Sequence, residues 1–213
     1  DHHGYVARLK AIIAAFGGDP DILEVLLVQL VNLTRGGEPV RMGKRAGEFV
    51  TLREVLDEVG GDAARFFFLL RRSDSQLDFD LELAKQQSSD NPVFYAQYAH
   101  ARIASVRRQA EEAGVGPGEY PDLSPLGDAE AELVRSVAGW PDVVEGAARD
   151  LEPHRIVFYV LELAAAFHRY YNRHRILTDD AALSRARVAL ICSVQQVLRS
   201  ALDLAGVAAP ERM

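Results

Sequence analysis

The segment Arg41-Met42-Gly43-Lys44-Arg45-Ala46-Gly47 places three cations among small residues, after a turn at Arg35-Gly36-Gly37-Glu38-Pro39 and before a helix start at Thr51. A loop of this kind can carry charge to a triphosphate. Its glycines let the backbone approach and move, while Lys and Arg neutralise the charge that develops on phosphate oxygens as pyrophosphate is displaced. A basic surface loop is the commoner meaning of such a segment, and the residues alone leave both readings open.

A second stretch, His168-Arg-Tyr-Tyr-Asn-Arg-His-Arg175, interleaves arginine and histidine with tyrosine. Arginines can bind phosphates, tyrosines can stack on unpaired bases, and amides or hydroxyls can read base edges. The same residues also fit a packed helix end, because Tyr170 continues the apolar series Ile156, Val160, Leu163, Phe167 and a helix C-terminus favours cations. Asp78, Phe79 and Asp80 could suggest a pair of acid-base carboxylates, but helix capping by Asp80 is the simpler account. His2 and His3 stand side by side in an extended segment, where their rings point apart, and no Cys or further His lies at a ligand spacing. No metal site is expected there. Arg65, Arg71 and Arg72 read as ion-paired or solvated charges.

The elements that must hold these residues are mostly helical. Val6, Leu9, Ile12, Ile13 and Phe16 predict a first helix over 5–16, stopped by Gly17-Gly18. The almost continuously apolar run Ile22 to Leu33 predicts a buried strand leading into the turn, with helix as the competing reading. Thr51-Leu-Arg-Glu54 has the form of a capping box. Gly60 or Gly61 ends that helix, and Asp62 is expected to cap the next, Ala63 to Arg71. Asn91-Pro92 starts a helix to about Ala113, with Asn as cap and Pro in the first turn. Residues 114–127, with three Pro and four Gly, read as a surface loop. Helices are expected near 128–138, 141–149, 153–175 and 180–205.

At 213 residues, nearly half of them hydrophobic, the chain can bury one good core or two small ones. The net charge of −7 excludes binding to nucleic acid through a uniformly basic surface, though not through arginines gathered on one face. No apolar run is long enough to cross a bilayer, Asp1-His2-His3-Gly4 resembles neither a signal nor a transit peptide, and a cytoplasmic location is expected. Because the first residue is not Met and helix-like sequence begins almost at once, the chain is expected to start inside a longer protein. Cys192, the one cysteine, sits in an apolar stretch and reads as a small core residue.

Arg41 to Leu52 resembles the Lys-Met-Ser-Lys-Ser loop of class I aminoacyl-tRNA synthetases in its arginyl form, followed by the Arg-Ala-Gly and Phe-Val-Thr-Leu stretches of that family. Further blocks resemble arginyl-tRNA synthetases in the same order: Asp1-His-His-Gly-Tyr5, Gln29 to Leu33, Glu58 to Phe67, Leu77-Asp-Phe-Asp-Leu81, Asp90 to Arg102 and Glu211-Arg-Met213. Against the family loop, Arg41 stands at the first lysine, Gly43 at the serine and Arg45 at the last serine.

The resemblance implies a mainly α fold. Residues 1–90 would be the end of a class I α/β catalytic domain with its ATP-phosphate loop and connecting helices, and 91–213 an α-helical anticodon-binding bundle. It implies that Lys44, assisted by Arg45, meets the ATP phosphates, with Arg41 and Met42 in the same loop and Asp1 and His2 against the ribose and adenine side. The substrates implied are arginine, ATP with Mg2+ and the tRNA specific for arginine. The residues implied to meet tRNA are Asn91, Gln97, Arg102, Arg169, Tyr170, Tyr171, Arg173 and Met213, with Tyr95 and Tyr98 as readily core as RNA contacts. A ligase active only as the intact protein is the expectation, with this chain inactive alone. A stand-alone RNA-binding module that has lost catalysis is the alternative. A monomer is expected, although Ile22 to Leu33 would expose apolar surface if its neighbouring strands were missing and could then drive self-association.

Overall fold

The computed structural model describes residues 2–40 and 50–213, and Asp1 and the basic loop with Arg41, Met42, Lys44 and Arg45 lie outside them. The first helix, α1, spans His3–Ala15 and ends where Gly17 turns into the left-handed region with φ +76°. None of its residues is fully buried: Tyr5, Leu9 and Ile12, with Phe16 just after the helix, are exposed, and Val6 and Ile13 are half-buried.

The apolar run that follows departs from expectation. Only Val31–Arg35 forms a strand, β1, whereas Pro20–Ile22 is a 3-10 turn capped by Asp19 and 23–30 are irregular. Leu26, Val28 and Leu30 face solvent instead of a core. The reason is pairing, because a strand needs a neighbour for its backbone groups. Val31 to Thr34 pair in parallel with β3, Leu77–Asp80, in the register Val31 with Leu77 and Leu33 with Phe79. On its other edge β1 pairs antiparallel with β2, Glu38–Pro39. Just upstream of Val31, Gln29 N donates to Ser73 O at 2.7 Å, a backbone bond outside the strand ladder.

Asp80 ties this sheet together. Its carboxylate accepts from the amides of Gly36 and Gly37, which have positive φ in the hairpin turn, and from those of Glu82 and Leu83 at the start of α4, Leu81–Lys85. Burial works to raise the pKa of Asp80, but the four amide bonds outweigh it and hold the group below the usual carboxylate range.

The expected Thr51–Glu54 capping box opens α2, Leu52–Val59. Gly60, at φ +82°, then joins it directly to α3, Gly61–Leu69. Here Asp62 is not the cap. It lies inside the first turn of α3, and its carboxylate reaches Gln97 and the backbone N–H of Ala208. Helix α3 ends two residues before Arg71, and Arg72 pairs with Asp74 and Glu152.

The remaining helices are α5 (Pro92–Glu112), α6 (Ala131–Ala138), α7 (Trp140–Arg149), α8 (His154–Arg173) and α9 (Ala181–Leu204). Three of them, α5, α8 and α9, pack together through Ala96, Ala99, Ile103, Val160, Leu163, Phe167, Ile191, Val194 and Leu198. Alanines on α5 let the helix axes approach closely. Phe66 and Phe67 of α3 and Phe79 of β3 belong to the same core, which therefore runs across residue 90 without a break. One buried carboxylate, Glu130, closes the long loop onto the bundle. It accepts from Gly127 N at 2.9 Å, from Tyr170 Oη at 2.8 Å and from Arg187 at 2.8 Å. Cys192 is half-buried at the edge of this core with a free thiol.

Candidate nucleic-acid interface

On α5, Phe94, Tyr98 and Arg102 follow one another at intervals of four and form a stripe along one face. The rings of Phe94 and Tyr98 lie nearly parallel, 6.0 Å apart, and the Arg102 guanidinium sits 4.4 Å from the Tyr98 centroid while donating to its hydroxyl at 2.6 Å. Arg102 is also 5.0 Å from the centroid of Tyr171 on α8. One cation is thereby sandwiched between the aromatic rings of two helices.

Beneath this arrangement lies His168, one helical turn before Tyr171. Its ring packs against Tyr95 and Tyr98, its Nε2 is 3.5 Å from the Tyr95 carbonyl and its Nδ1 is 3.5 Å from Arg102. Burial lowers its pKa, the Tyr95 carbonyl raises it and the neighbouring Arg102 lowers it further, with a net shift below the usual histidine value. A neutral ring with the proton on Nε2 satisfies both contacts, because Nδ1 then accepts from the guanidinium.

The chain after α9 supplies the last side. Arg212 and Met213 line a cleft of about 530 Å3 together with Tyr98, Arg102, Arg108 and Tyr171. Met213 is half-exposed. A neighbouring cleft runs past Tyr171 to Asn172, Arg173 and Arg175, and another past Phe94, Tyr98 and Arg102 to Asn172. Among the described residues, no ion pair engages Arg102, Arg173, Arg175 or Arg212, whereas Glu211, the acidic residue beside them, is taken by Arg199 at 2.8 Å. Exposed ring faces beside unpaired arginines are suited to unstacked bases and their phosphates.

Of the residues expected to meet RNA, the structure brings Arg102, Tyr171, Arg173 and Met213 to these clefts. Others stand elsewhere. Asn91 is buried, caps α5 through Val93 N and gives its amide to the carbonyls of Ala84 and Gln86, so its polar groups are already used. Tyr170 is a core residue bonded to Glu130, and burial followed by that bond pushes its hydroxyl well above the usual tyrosine range. Arg169 turns away from Tyr171 and pairs with Glu132 at 2.6 Å. Gln97 is spent on Asp62 and the carbonyl of Ala208. At the other end of the chain, His2 is exposed, 6.3 Å from the Tyr5 ring.

Sequence reasoning missed Phe94 and Arg212 and left Tyr98 undecided. The available signal was the i, i+4, i+8 spacing of Phe94, Tyr98 and Arg102, a partly exposed stripe beside the buried alanine stripe of α5.

The fold is a helical bundle carrying an arginine and aromatic cleft, with a small sheet and three short helices set against one end. Residues 96–213 match the family model of the DALR anticodon binding domain, and the chain belongs to that family. It is 58% identical to the arginine–tRNA ligase of Syntrophotalea carbinolica and 57% identical to that of Desulfosudis oleivorans, in each case over the whole chain and 39% of the relative. The chain thus spans well under half the length of these curated relatives. Among solved structures it is similar to an arginyl-tRNA synthetase from Campylobacter jejuni, with a TM-score of 0.89 at 33% identity, covering 100% of this chain and 46% of that one. It is also similar to the Thermus thermophilus arginyl-tRNA synthetase, with a TM-score of 0.80 at 28% identity over 98% of this chain and 39% of that one. The α-dominated fold expected from the sequence is the one found. No described helix is long and apolar enough to cross a membrane.

Proposed function

We propose that the intact protein is an arginine–tRNA ligase, which activates arginine with ATP and Mg2+ and joins it to its cognate tRNA, and that residues 91–213 hold the anticodon stem and loop. The observation that carries this reading is the Arg102 guanidinium set between the Tyr98 and Tyr171 rings at the mouth of a cleft floored by Met213. Rings and guanidinium offer flat faces to unpaired bases, and Arg102, Arg173, Arg175 and Arg212 lie where the backbone of a splayed loop would pass. In an acidic chain, a local gathering of arginines without acidic partners favours RNA at this face over indiscriminate binding.

Catalysis in the intact protein would draw on Lys44, with Arg45, Arg41 and Met42 beside it, to meet the ATP phosphates, and on Asp1 and His2 near the ribose. The arginine pocket is assigned to residues beyond these. The test is fluorescence-anisotropy binding of an arginine tRNA transcript, alongside the same transcript with its anticodon bases exchanged, at two salt concentrations. Tighter binding of the cognate anticodon supports the reading. Equal and strongly salt-dependent binding means phosphate attraction alone and removes it.

A further inference from the structure

After α9 the chain turns at Gly206, with φ +66°, and runs back along α5. A side chain at Gly206 would collide with Arg65 of α3, since an added Cβ would stand 2.9 Å from Arg65 Cδ. Side chains then take hold of the tail one backbone group after another. Ala208 N donates to Asp62 Oδ2 at 3.1 Å, and Ala208 O accepts from Gln97 Nε2 at 3.0 Å, which also donates to the same Asp62 oxygen. Pro210 O accepts from His100 Nδ1 at 2.8 Å. Glu211 bonds through its carboxylate to Arg199, and its carbonyl lies 3.5 Å from Arg108. Gln97, His100 and Arg108 share one face of α5 by helical spacing.

Of these, His100 is the residue that packing does not explain. It is 0% exposed, and its Nε2 is a buried polar atom without a partner among the described residues. Leucine would fill such a position without leaving a polar atom unsatisfied. What the imidazole adds is the proton on Nδ1, fixed there because a carbonyl can only accept.

We propose that His100 is a positioning residue, which with Asp62 and Gln97 fixes the 208–213 tail so that Arg212 and Met213 complete the cleft facing Tyr98, Arg102 and Tyr171. The role of that cleft rests on the RNA-binding reading above, whereas the placement of the tail does not need RNA to be measured. Holding this segment before RNA arrives removes the ordering cost that a loose one would add to binding.

The experiment follows the Met213 methyl group by NMR in protein labelled with 13C-methyl methionine, with the resonance assigned from its loss in Met213→Leu. In the wild type it is expected to differ from free methionine and to cross-relax with the tyrosine rings of the cleft. His100→Leu is expected to move it to the free-methionine position and to weaken binding of an anticodon stem-loop RNA roughly tenfold. His100→Asn, whose amide nitrogen stands where Nδ1 does, is expected to restore both. A Met213 signal unchanged in His100→Leu, or a displaced one that Asn fails to restore, overturns the proposal. Should the leucine variant not fold, Gln97→Ala at a half-buried site is expected to displace the methyl signal too, and an unchanged signal there also overturns it. Displacement and rescue in a protein whose wild type binds no RNA would support the positioning role and sink the RNA reading alone.

Discussion

Arg102 on α5 lies over the ring of Tyr171 on α8, 5.0 Å from its centroid, and so couples two helices of the bundle at the edge of the cleft. Arg102→Ala is expected to weaken binding of the anticodon stem-loop by about 1–2 kcal/mol, roughly 5–30-fold. Its salt dependence should fall by about one counterion. Arg102→Lys keeps the charge but loses the flat face and the bond to Tyr98, so it should recover the salt slope more than the affinity. Parallel titrations at two salt concentrations check both, and full affinity in the alanine variant would contradict the assignment.

Tyr170 and Tyr171 are neighbours in sequence with opposite roles. Tyr171→Ala removes a stacking face and should cost about 1–3 kcal/mol of RNA binding, and it also gives up the half-buried contact with Phe167, so some stability is lost with it. Tyr170→Phe leaves the cleft intact but takes a hydrogen bond from the buried Glu130 carboxylate, so it should cost about 1–3 kcal/mol of folding stability with RNA affinity unchanged. Denaturant unfolding beside anisotropy separates the two, and the reverse pattern would exchange their roles.

That contrast marks how far sequence can be read. Local chemistry announces itself, and so Thr51 with Glu54, Asp80 and Asn91 could be recognised as caps from the residues that follow them. The periodicity of α8 likewise pointed to Tyr170 as core, and the family resemblance outweighed it wrongly at that position. Non-local partners leave no such trace. The strand at Leu77–Asp80 is four residues long, and its partner lies 46 positions earlier, so nothing near it specifies the pairing. The same holds for Asp62, which looks like a helix cap and is instead a clamp on Ala208. Hydrophobic content misled most at Ile22 to Leu33, where an apolar run was read as buried although burial depends on what stands opposite.

Stability should fall as the solution is made mildly acidic. Burial lowers the pKa of both His100 and His168; it is opposed by the Pro210 carbonyl and the Glu211 carboxylate at His100 and by the Tyr95 carbonyl at His168, and reinforced by Arg199 and Arg107 at the first and Arg102 at the second. As pH falls through about 6.5 the unfolded chain takes up protons before the folded one does, so unfolding is increasingly favoured until pH drops below the folded values. Glu130 adds to this at lower pH. Burial raises its pKa, but its bonds to Gly127, Tyr170 and Arg187 outweigh that and hold it below normal, so its contribution is lost as those bonds are protonated away. Urea unfolding should show a plateau above about pH 7 and a decline between about 6.5 and 5, flattened in His168→Gln. A curve level through that interval would mean that neither histidine is held neutral.

Apolar side chains on α1 and the irregular segment after it form the other exposed feature of the molecule. Phe16 is 89% exposed, Val28 80% and Leu30 78%. Covering such surface yields about 25 cal/mol per Å2, which favours contact between copies. The 213-residue chain is therefore expected to self-associate with rising concentration, seen as an increasing weight-average mass in sedimentation velocity. Phe16→Ser, Val28→Thr and Leu30→Gln together should return it to a monomer without lowering its melting temperature, because none of the three belongs to the core. A monomer at every concentration, or a triple variant that melts early, would show that these side chains are covered within the folded chain.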